Sequence, residues 1–151
     1  MFLESNTGEG ADHEVPVSIR PCCEADRVSV MELIEPYVQQ RKILRRTFEE
    51  LEELLTNSFV AEMGGKVVGF VALEVYSAKL AEIRSLVVSI HCQGRGIGRR
   101  LVAACVERAR EKAVFEVMAI TSSEEFFRSC GFDYTLPGEK KAFFLQTRTD
   151  H

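Results

Sequence analysis

The run of residues 82–101 constrains the fold more than any other part of the chain. Its first half is aliphatic and β-branched, which predicts a strand that ends near Ile90. Glycine then occupies every second position, at Gly94, Gly96 and Gly98. Beyond the glycines, apolar residues recur at steps of three and four, as on one face of a helix. The run therefore predicts a strand, a glycine-rich loop and the start of a helix.

A glycine-rich turn at the start of a helix leaves main-chain N–H groups without partners inside the helix. These donors and the helix dipole favour an anion such as a phosphate or diphosphate, which can approach closely because glycine has no Cβ. Arg95, Arg99 and Arg100 add side-chain cations to the same region. The alternative is an ordinary tight turn that caps a helix. The strand, the spacing and the basic residues together favour the phosphate loop.

The spacing of the glycines separates three kinds of loop. A nucleoside triphosphate loop needs G-x-x-x-x-G-K-[ST], and no Lys-Ser/Thr pair follows Gly98. The dinucleotide fingerprint needs G-x-G-x-x-G and an acidic residue after a second strand, whereas this chain has G-x-G-x-G. What remains is Gln93-x-x-Gly96-x-Gly98 after an aliphatic strand. This pattern resembles the acetyl-coenzyme A loop of the GNAT acyltransferase superfamily, Q/R-x-x-G-x-G/A.

The overall composition excludes several classes of protein. A chain of 151 residues with 46% hydrophobic content is the size of one domain. The net charge of −4 argues against a nucleic-acid partner bound through a basic face. No apolar run approaches the roughly 20 residues of a membrane span, and the N-terminus has no signal core. We therefore expect no membrane partner and a cytoplasmic location.

The five cysteines form neither a C-x-x-C pair nor a set spaced with the three histidines, so no metal site is expected. An odd number of cysteines without a secretory signal predicts free thiols. Cys105 falls on the apolar face of the predicted helix, where a small buried side chain is expected. Cys92 follows His91, but neighbours on an extended chain point in opposite directions, so we do not expect a Cys–His nucleophile.

Local signals predict the remaining elements. Residues 1–14 are rich in Gly, Ser, Asn, Asp and Glu and predict a disordered tail, followed by a single domain over 15–151. Thr47 and Glu50 form a capping box, Gly64-Gly65 is a two-residue hairpin turn, and Pro36 is expected to end or kink the first helix. Strands are expected over 17–20, 59–63, 67–75, 81–88, 115–120 and 142–146, and helices over 24–35, 47–57, beyond Gly98 and over 124–130. This order predicts an α/β protein with a mixed sheet and helices on both faces.

Longer segments extend the GNAT resemblance to nearly the whole chain after the tail. Residues 126–132 are similar to the helix-then-Gly-Phe motif of the superfamily. Segments 45–53, 121–132 and 136–148 are similar to the acetyltransferase domain of bacterial N-acetylglutamate synthases. The amino-acid-kinase domain that often precedes this domain is absent from the sequence, so a stand-alone short form is expected. The resemblance implies a twisted, mostly antiparallel sheet with splayed central strands.

The resemblance also implies a reaction, the transfer of an acetyl group from acetyl-coenzyme A to an amine. The attacking amine must be deprotonated, and an α-amino group has a pKa near 8, so a base or a water relay is needed. Glu82 matches the strand glutamate that serves as base in such enzymes; the alternative is a surface glutamate at a strand end. A main-chain N–H of Leu86 or Val87 is expected to stabilise the oxyanion.

The same resemblance assigns the coenzyme site and leaves the general acid open. The expected coenzyme-binding residues are Leu86, Val87, Val88, Gln93, Gly94, Arg95, Gly96, Ile97, Gly98 and Arg99. Many relatives have a tyrosine in the helix before Gly-Phe that protonates the leaving thiolate. This chain has Phe127 there, as does the synthase-like subgroup, so Thr121, Ser122, Tyr134 or a water is left as the acid.

The choice of acceptor is expected to depend on cations. A dicarboxylic amino acid offers two carboxylates, which arginine pairs with in a bidentate geometry. Arg45 or Arg46, with Arg148, match positions that resemble carboxylate-binding residues of the synthases, and Lys140 or Lys141 adds to them; the alternative is solvated surface charge. L-Glutamate is therefore the expected acceptor. Another small amine, or a non-catalytic acetyl-coenzyme A binder, is the alternative, and the oligomeric state, a homodimer included, stays open.

Overall fold

The computed structural model describes residues 15–43, 47–134, 138–139 and 141–147. These residues fall into two compact units, one that ends at Thr121 and one that begins at Ser122. The strands are β1 (Val17–Pro21), β2 (Ser58–Met63), β3 (Lys66–Val75), β4 (Leu80–Val88) and β5 (Glu116–Ala119). The helices are α1 (Arg27–Gln39), α2 (Phe48–Leu55), α3 (Ile97–Glu111) and α4 (Glu124–Ser129), with short 3₁₀ turns at Glu24–Asp26 and Ile90–Cys92.

The five strands in the described part of the chain form one sheet in the order β1-β2-β3-β4-β5. Strands β1 to β4 are antiparallel to their neighbours, and β5 runs parallel to β4. The predicted mixed, mostly antiparallel sheet is therefore confirmed. The predicted hairpin is confirmed too, because Gly64 and Gly65 join β2 to β3 with φ of +58° and +79°. Glycine adopts this left-handed conformation without strain.

Helices cover both faces of the sheet. Because successive strand residues point to opposite faces, Phe70 and Ala72 on β3 share one face, where they pack against α1 and α2. Gly69 lies on the other face beneath α3. A Cβ at Gly69 would lie 3.0 Å from Cδ1 of Leu101 and 3.1 Å from Cβ of Ala61, so a glycine is needed for α3 to pack this closely.

The capping box of α2 is confirmed. The hydroxyl oxygen of Thr47 accepts the Glu50 N–H at 3.1 Å, and the Glu50 carboxylate accepts the Thr47 N–H at 3.4 Å. These two contacts satisfy donors that the first turn of a helix leaves unpaired. The free thiols are confirmed as well, since all five cysteines are unpaired. Cys105 is fully buried, and this burial raises the pKa of its thiol to about 12.

Pro36 does not end α1, and the expectation that it would is wrong on that point. The helix continues to Gln39, and the Gln40 N–H still bonds to the Pro36 carbonyl at 3.1 Å. Proline removes only its own N–H from the ladder, so the turn beyond it can persist. None of the helices in the described residues is long and apolar enough to cross a membrane.

Two strand predictions need correction. The strand expected over 142–146 is not formed, since residues 141–147 have no regular secondary structure and Phe143 is 93% exposed. Aromatic residues favour strands only where a neighbouring strand pairs with them, so composition alone was misleading. The strand expected over 115–120 is shorter, Glu116–Ala119, and it is half-buried. Phe115, just before it, is 85% exposed.

Candidate active site

A β-bulge interrupts β4 in its second half. Arg84 pairs with Ala72 on β3 and Val87 pairs with Phe70, so Ser85 and Leu86 together oppose the single residue between them on β3. Ser85 has a φ of +56°, the left-handed conformation that such an extra residue often needs. The bulge changes the direction of the main-chain groups of Leu86, one of the two expected oxyanion donors.

β4 also separates from β5 at this point. β5 pairs only with residues 80–83 of β4, and the last pair is Ile83 with Ala119. Beyond Ile83, one edge of β4 has no strand partner within the described residues. The expected splayed central strands are thus present. Strand N–H groups that do not face β3 remain available along this edge for a ligand that lies beside the strand.

Glu82 lies just before the bulge and is buried, with 8% of its surface exposed. Its partners in the sheet are Glu74 on β3 and Met118 on β5. One carboxylate oxygen, Oε1, accepts a hydrogen bond from the hydroxyl of Tyr76 at 2.6 Å. Glu82 is therefore not the surface glutamate of the alternative interpretation. A buried carboxylate held in one orientation beside an open strand edge suits a general base.

Two further polar residues surround Glu82. Nη1 of Arg84 donates to Oε1 of Glu74 at 2.9 Å and lies 3.5 Å from the hydroxyl oxygen of Tyr76. Burial raises the pKa of Tyr76 to about 12, and the hydrogen bond to Glu82 acts in the same direction. Sequence reasoning missed Tyr76 and Arg84. The signal that could have found them is the alternation of polar residues at 74, 76, 82 and 84 across the β3–β4 hairpin and its turn.

The glycine loop leads into α3 through two glycines in the left-handed conformation. Gly94 and Gly96 both have positive φ, +85° and +75°, and α3 begins at Ile97 directly after them. The first hydrogen bond of the helix runs from the Arg100 N–H to the Gly96 carbonyl at 3.1 Å. The N–H groups of Ile97, Gly98 and Arg99 therefore have no partner within the helix. Such donors at the positive end of the helix dipole fit a phosphate group.

The side chains of the loop differ in what they contact. Ile97 is 2% exposed and belongs to the core, so only its main chain can reach a ligand. Nη2 of Arg95 donates to the Val15 carbonyl, and Nη1 of Arg100 donates to the Val17 carbonyl, both at 2.9 Å. Arg99 is exposed and makes no side-chain hydrogen bond or ion pair with the residues the structure describes.

Gln93, the first residue of the loop motif, connects three elements. Its Nε2 donates to the Val88 carbonyl at 3.2 Å and to the hydroxyl oxygen of Tyr37 at 3.3 Å. Tyr37, on α1, donates its own hydroxyl proton to the Val88 carbonyl at 2.8 Å. Of the strand residues expected beside the coenzyme, Val87 is buried against Phe70 on β3. Val88 thus presents a carbonyl that already has two donors.

The other predicted site residues are distributed as follows. Thr121 is exposed, two residues after the end of β5. In the second unit, Tyr134 donates its hydroxyl proton to Glu124 at 2.5 Å. Phe127 is buried there, edge-to-face with Phe126 and Phe132, so its ring serves packing. The expected substrate-binding residues lie outside the described residues: Arg45, Arg46, Lys140 and Arg148.

Comparison with known proteins agrees with this geometry. Residues 26–132 match the model of the Acetyltransferase (GNAT) family. The chain is 36% identical over 108 residues to an uncharacterised N-acetyltransferase of Chlorobaculum tepidum, covering 72% of this chain and 70% of the relative. It is 32% identical over 126 residues to the amino-acid acetyltransferase of Mycobacterium tuberculosis, covering 79% of this chain and 72% of the relative.

A solved structure with the same arrangement is the N-acetylglutamate synthase from Neisseria gonorrhoeae, complexed with coenzyme A and N-acetyl-glutamate. The two chains are 30% identical and superpose with a TM-score of 0.69 over 77% of this chain. This chain spans only 28% of that synthase. The family match includes β4, its bulge, the glycine loop and α3. The chain therefore belongs to the acetyltransferase (GNAT) family and is an acetyl-coenzyme A-dependent N-acetyltransferase.

Proposed function

We propose that the protein acetylates the α-amine of a small amino acid, with L-glutamate as the acceptor, as a cytoplasmic enzyme of arginine biosynthesis. The observation that carries the proposal is the buried carboxylate of Glu82, which lies directly before the bulge where β4 parts from β5. A buried acidic group at the start of an open strand edge can take a proton from an amine that attacks there. The glycine loop lies between β4 and α3, further along the same strand–loop–helix segment of the chain.

In this proposal the chain binds acetyl-coenzyme A through main-chain groups. The N–H groups of residues 93–98 and of Arg99 bind the diphosphate, and the exposed side chain of Arg99 adds a positive charge. The pantetheine arm lies along the open edge of β4 beside Leu86 and Val87. Two observations support this arrangement. The first N–H groups of α3 have no partner within the helix, and the pairing of β4 with β5 ends at Ile83. The coenzyme A found in the gonococcal synthase is consistent with it.

The chemical steps follow from these groups. Glu82 accepts a proton from the acceptor amine, directly or through a water, and the amine nitrogen attacks the thioester carbon. The carbonyl oxygen gains negative charge, which a main-chain N–H of Leu86 or Val87 stabilises. Collapse of the tetrahedral species breaks the carbon–sulfur bond and releases coenzyme A as a thiolate, while the nitrogen loses its remaining extra proton to water and becomes the neutral amide. A thiol pKa near 8.5 lets the thiolate leave with a proton from Thr121 or from water.

Glutamate is proposed from the relatives and from the cations of the sequence. The related proteins include an amino-acid acetyltransferase, and the gonococcal structure contains N-acetyl-glutamate. Arg45 or Arg46 and Arg148, with Lys140, belong to two separate basic segments that resemble the synthases. Bidentate guanidinium–carboxylate pairs are strong and directional, so they distinguish a dicarboxylic acceptor from a monocarboxylic one.

The experiment that tests this function measures release of free thiol from acetyl-coenzyme A with a panel of acceptors. L-Glutamate, L-glutamine, L-aspartate, a polyamine and an aminoglycoside would be compared with hydrolysis in the absence of any acceptor. We expect the highest kcat/KM for L-glutamate and a much lower value for L-glutamine, which has the same shape without the second charge. A faster reaction with another amine contradicts glutamate as the acceptor. Tight binding of acetyl-coenzyme A without turnover of any amine supports the non-catalytic binder instead.

A further inference from the structure

Glu82 faces a second carboxylate across the β3–β4 ladder. Glu74 and Glu82 are direct partners in the antiparallel register, so their side chains lie on the same face of the sheet. Like charges in directly opposite positions destabilise a sheet unless other groups compensate them. Each of these carboxylates does have a compensating partner. The two partners, however, differ in charge.

Glu74 is compensated by a cation and Glu82 by a neutral group. Arg84 donates to Glu74 at 2.9 Å as an ion pair, whereas Tyr76 donates a neutral hydroxyl to Glu82 at 2.6 Å. Within the described residues, Glu82 forms no ion pair. A cation in contact with a carboxylate strongly lowers its affinity for a proton, and a neutral donor lowers it less. The neutral hydrogen bond from Tyr76 therefore leaves the Glu82 carboxylate able to accept a proton, as a general base must.

The Tyr76 hydroxyl contacts only one of the two oxygens of Glu82. It donates to Oε1, and no described residue donates a hydrogen bond to Oε2, so Oε2 is available to an acceptor amine or a relay water. Because burial and the Glu82 carboxylate raise the pKa of Tyr76 to about 12, Tyr76 stays protonated at neutral pH and remains a donor. Arg84 lies 3.5 Å from the hydroxyl oxygen of Tyr76.

We propose that Tyr76 is a positioning residue for the reaction: its neutral hydrogen bond fixes the Glu82 carboxylate for proton removal, while the Arg84 cation forms its ion pair with Glu74. This inference rests on the proposed function, because it needs Glu82 to act as the base. The inference adds Tyr76, from the turn between β3 and β4, to the residues that support the reaction. Tyr76 itself neither contacts the substrate nor gives up its proton.

Tyr76→Phe tests this role because it keeps the ring and removes only the donor. We expect kcat to fall roughly tenfold or more, with little change in the KM for acetyl-coenzyme A. The acidic limb of the plot of log kcat against pH should move to higher pH by about one unit, since the ionised carboxylate loses a donor. A merely structural role would lower the fraction of folded enzyme without moving this limb. An unmoved limb in folded Tyr76→Phe enzyme overturns the proposal.

A second measurement does not depend on turnover. With ¹³Cζ-labelled tyrosine, the Tyr76 resonance, assigned with Tyr76→Phe, is titrated in the wild type and in Glu82→Gln. We expect the Tyr76 midpoint to fall in the variant part of the way toward the ordinary value of 10.0, since burial, the largest cause of the raised pKa, remains and the contribution of the Glu82 carboxylate is gone. An unchanged midpoint refutes the contact between Tyr76 and Glu82. A lower midpoint in a protein that acetylates no amine refutes the proposed function, and with it the role of Tyr76, while the contact itself stands.

Discussion

Tyr37 donates its hydroxyl proton to the main-chain carbonyl of Val88, 2.8 Å away, and Gln93 donates to the same carbonyl at 3.2 Å. Helix α1, the end of β4 and the first residue of the glycine loop are thereby fixed to one another. A carbonyl has two lone pairs, and both donors are protein groups, so this oxygen has no capacity left for a coenzyme. A pantetheine arm beside β4 has to pair with other main-chain groups.

Tyr37→Phe is expected to weaken the binding of acetyl-coenzyme A. The change removes the hydrogen bond to Val88 and one of the two acceptors of Gln93, so the loop is held less firmly. The loss of these two neutral hydrogen bonds should raise the KM for acetyl-coenzyme A roughly threefold to tenfold and leave kcat nearly unchanged. Steady-state kinetics and calorimetric titration with acetyl-coenzyme A check this result. An equal rise in the KM of the acceptor would show that the whole site, and not the loop, is disturbed.

Glu82→Gln is expected to lower kcat by roughly a hundredfold or more, because it removes the base and leaves the phosphate-binding donors intact. The affinity for acetyl-coenzyme A, measured by calorimetry, should change little. Glu107→Gln is the matched control, since it makes the same replacement at an exposed position of α3. It should leave kcat nearly unchanged. Equal losses in the two variants would mean that Glu82 has no special role.

Arg148→Ala tests the proposed pairing of Arg148 with a carboxylate of the acceptor amino acid. Loss of a charge-assisted pair should raise the KM of the acceptor amino acid roughly tenfold or more, with no comparable change for acetyl-coenzyme A. Arg110→Ala provides the control, because Arg110 is an exposed arginine of α3 whose nearest carboxylate oxygen, on Glu107, is 3.6 Å away. Arg110→Ala should leave the KM of the acceptor and the KM of acetyl-coenzyme A unchanged. An equal rise in the KM of the acceptor and in that of acetyl-coenzyme A would contradict this pairing.

Asp26 should contribute to stability in a pH-dependent way. Arg20 donates to both of its carboxylate oxygens, at 2.8 and 2.9 Å, and these hydrogen bonds hold the pKa of the buried Asp26 well below its usual range. A lowered pKa in the folded state stabilises the protein above the unfolded pKa of about 3.9, and this stabilisation is lost as the pH falls below it.

Asp26→Asn is therefore expected to lower the free energy of unfolding at neutral pH by about 2 kcal/mol, a value reduced for the partial exposure of Arg20. The difference from the wild type should shrink below about pH 4. Urea unfolding at neutral and acidic pH measures both quantities. Glu62→Gln is the control, since Glu62 also bonds to Arg20, at 2.8 Å, but is only half-buried. An equal destabilisation at every pH would contradict the assigned ion pair.

The parts of the fold that depend on local residues were predictable. Gly64-Gly65 specifies a hairpin turn, Thr47 with Glu50 specifies a helix start, and the alternate glycines specify a turn that leads into a helix. The strand over 142–146 was wrong because a strand needs a pairing partner as well as suitable side chains.

The site was predictable only in part. Glu82 and the loop could be found from a motif, but Tyr76 and Arg84 become neighbours of Glu82 through the register of two strands. The turn between Val75 and Leu80 sets that register, and the bulge shifts it only beyond the pair of Ala72 with Arg84. Nothing in the residue types around Ser85 requires the positive φ of the bulge. Arg45, Arg46, Lys140 and Arg148 stay predictions, since they lie outside the described residues.

The absence of a side chain at Gly69 determines how closely α3 approaches the sheet. It allows the first turn of α3, and with it the end of the glycine loop, to lie directly on β3. Any larger residue at this position would push the start of the helix away from the strand, so the place of the loop depends on packing in the hydrophobic interior.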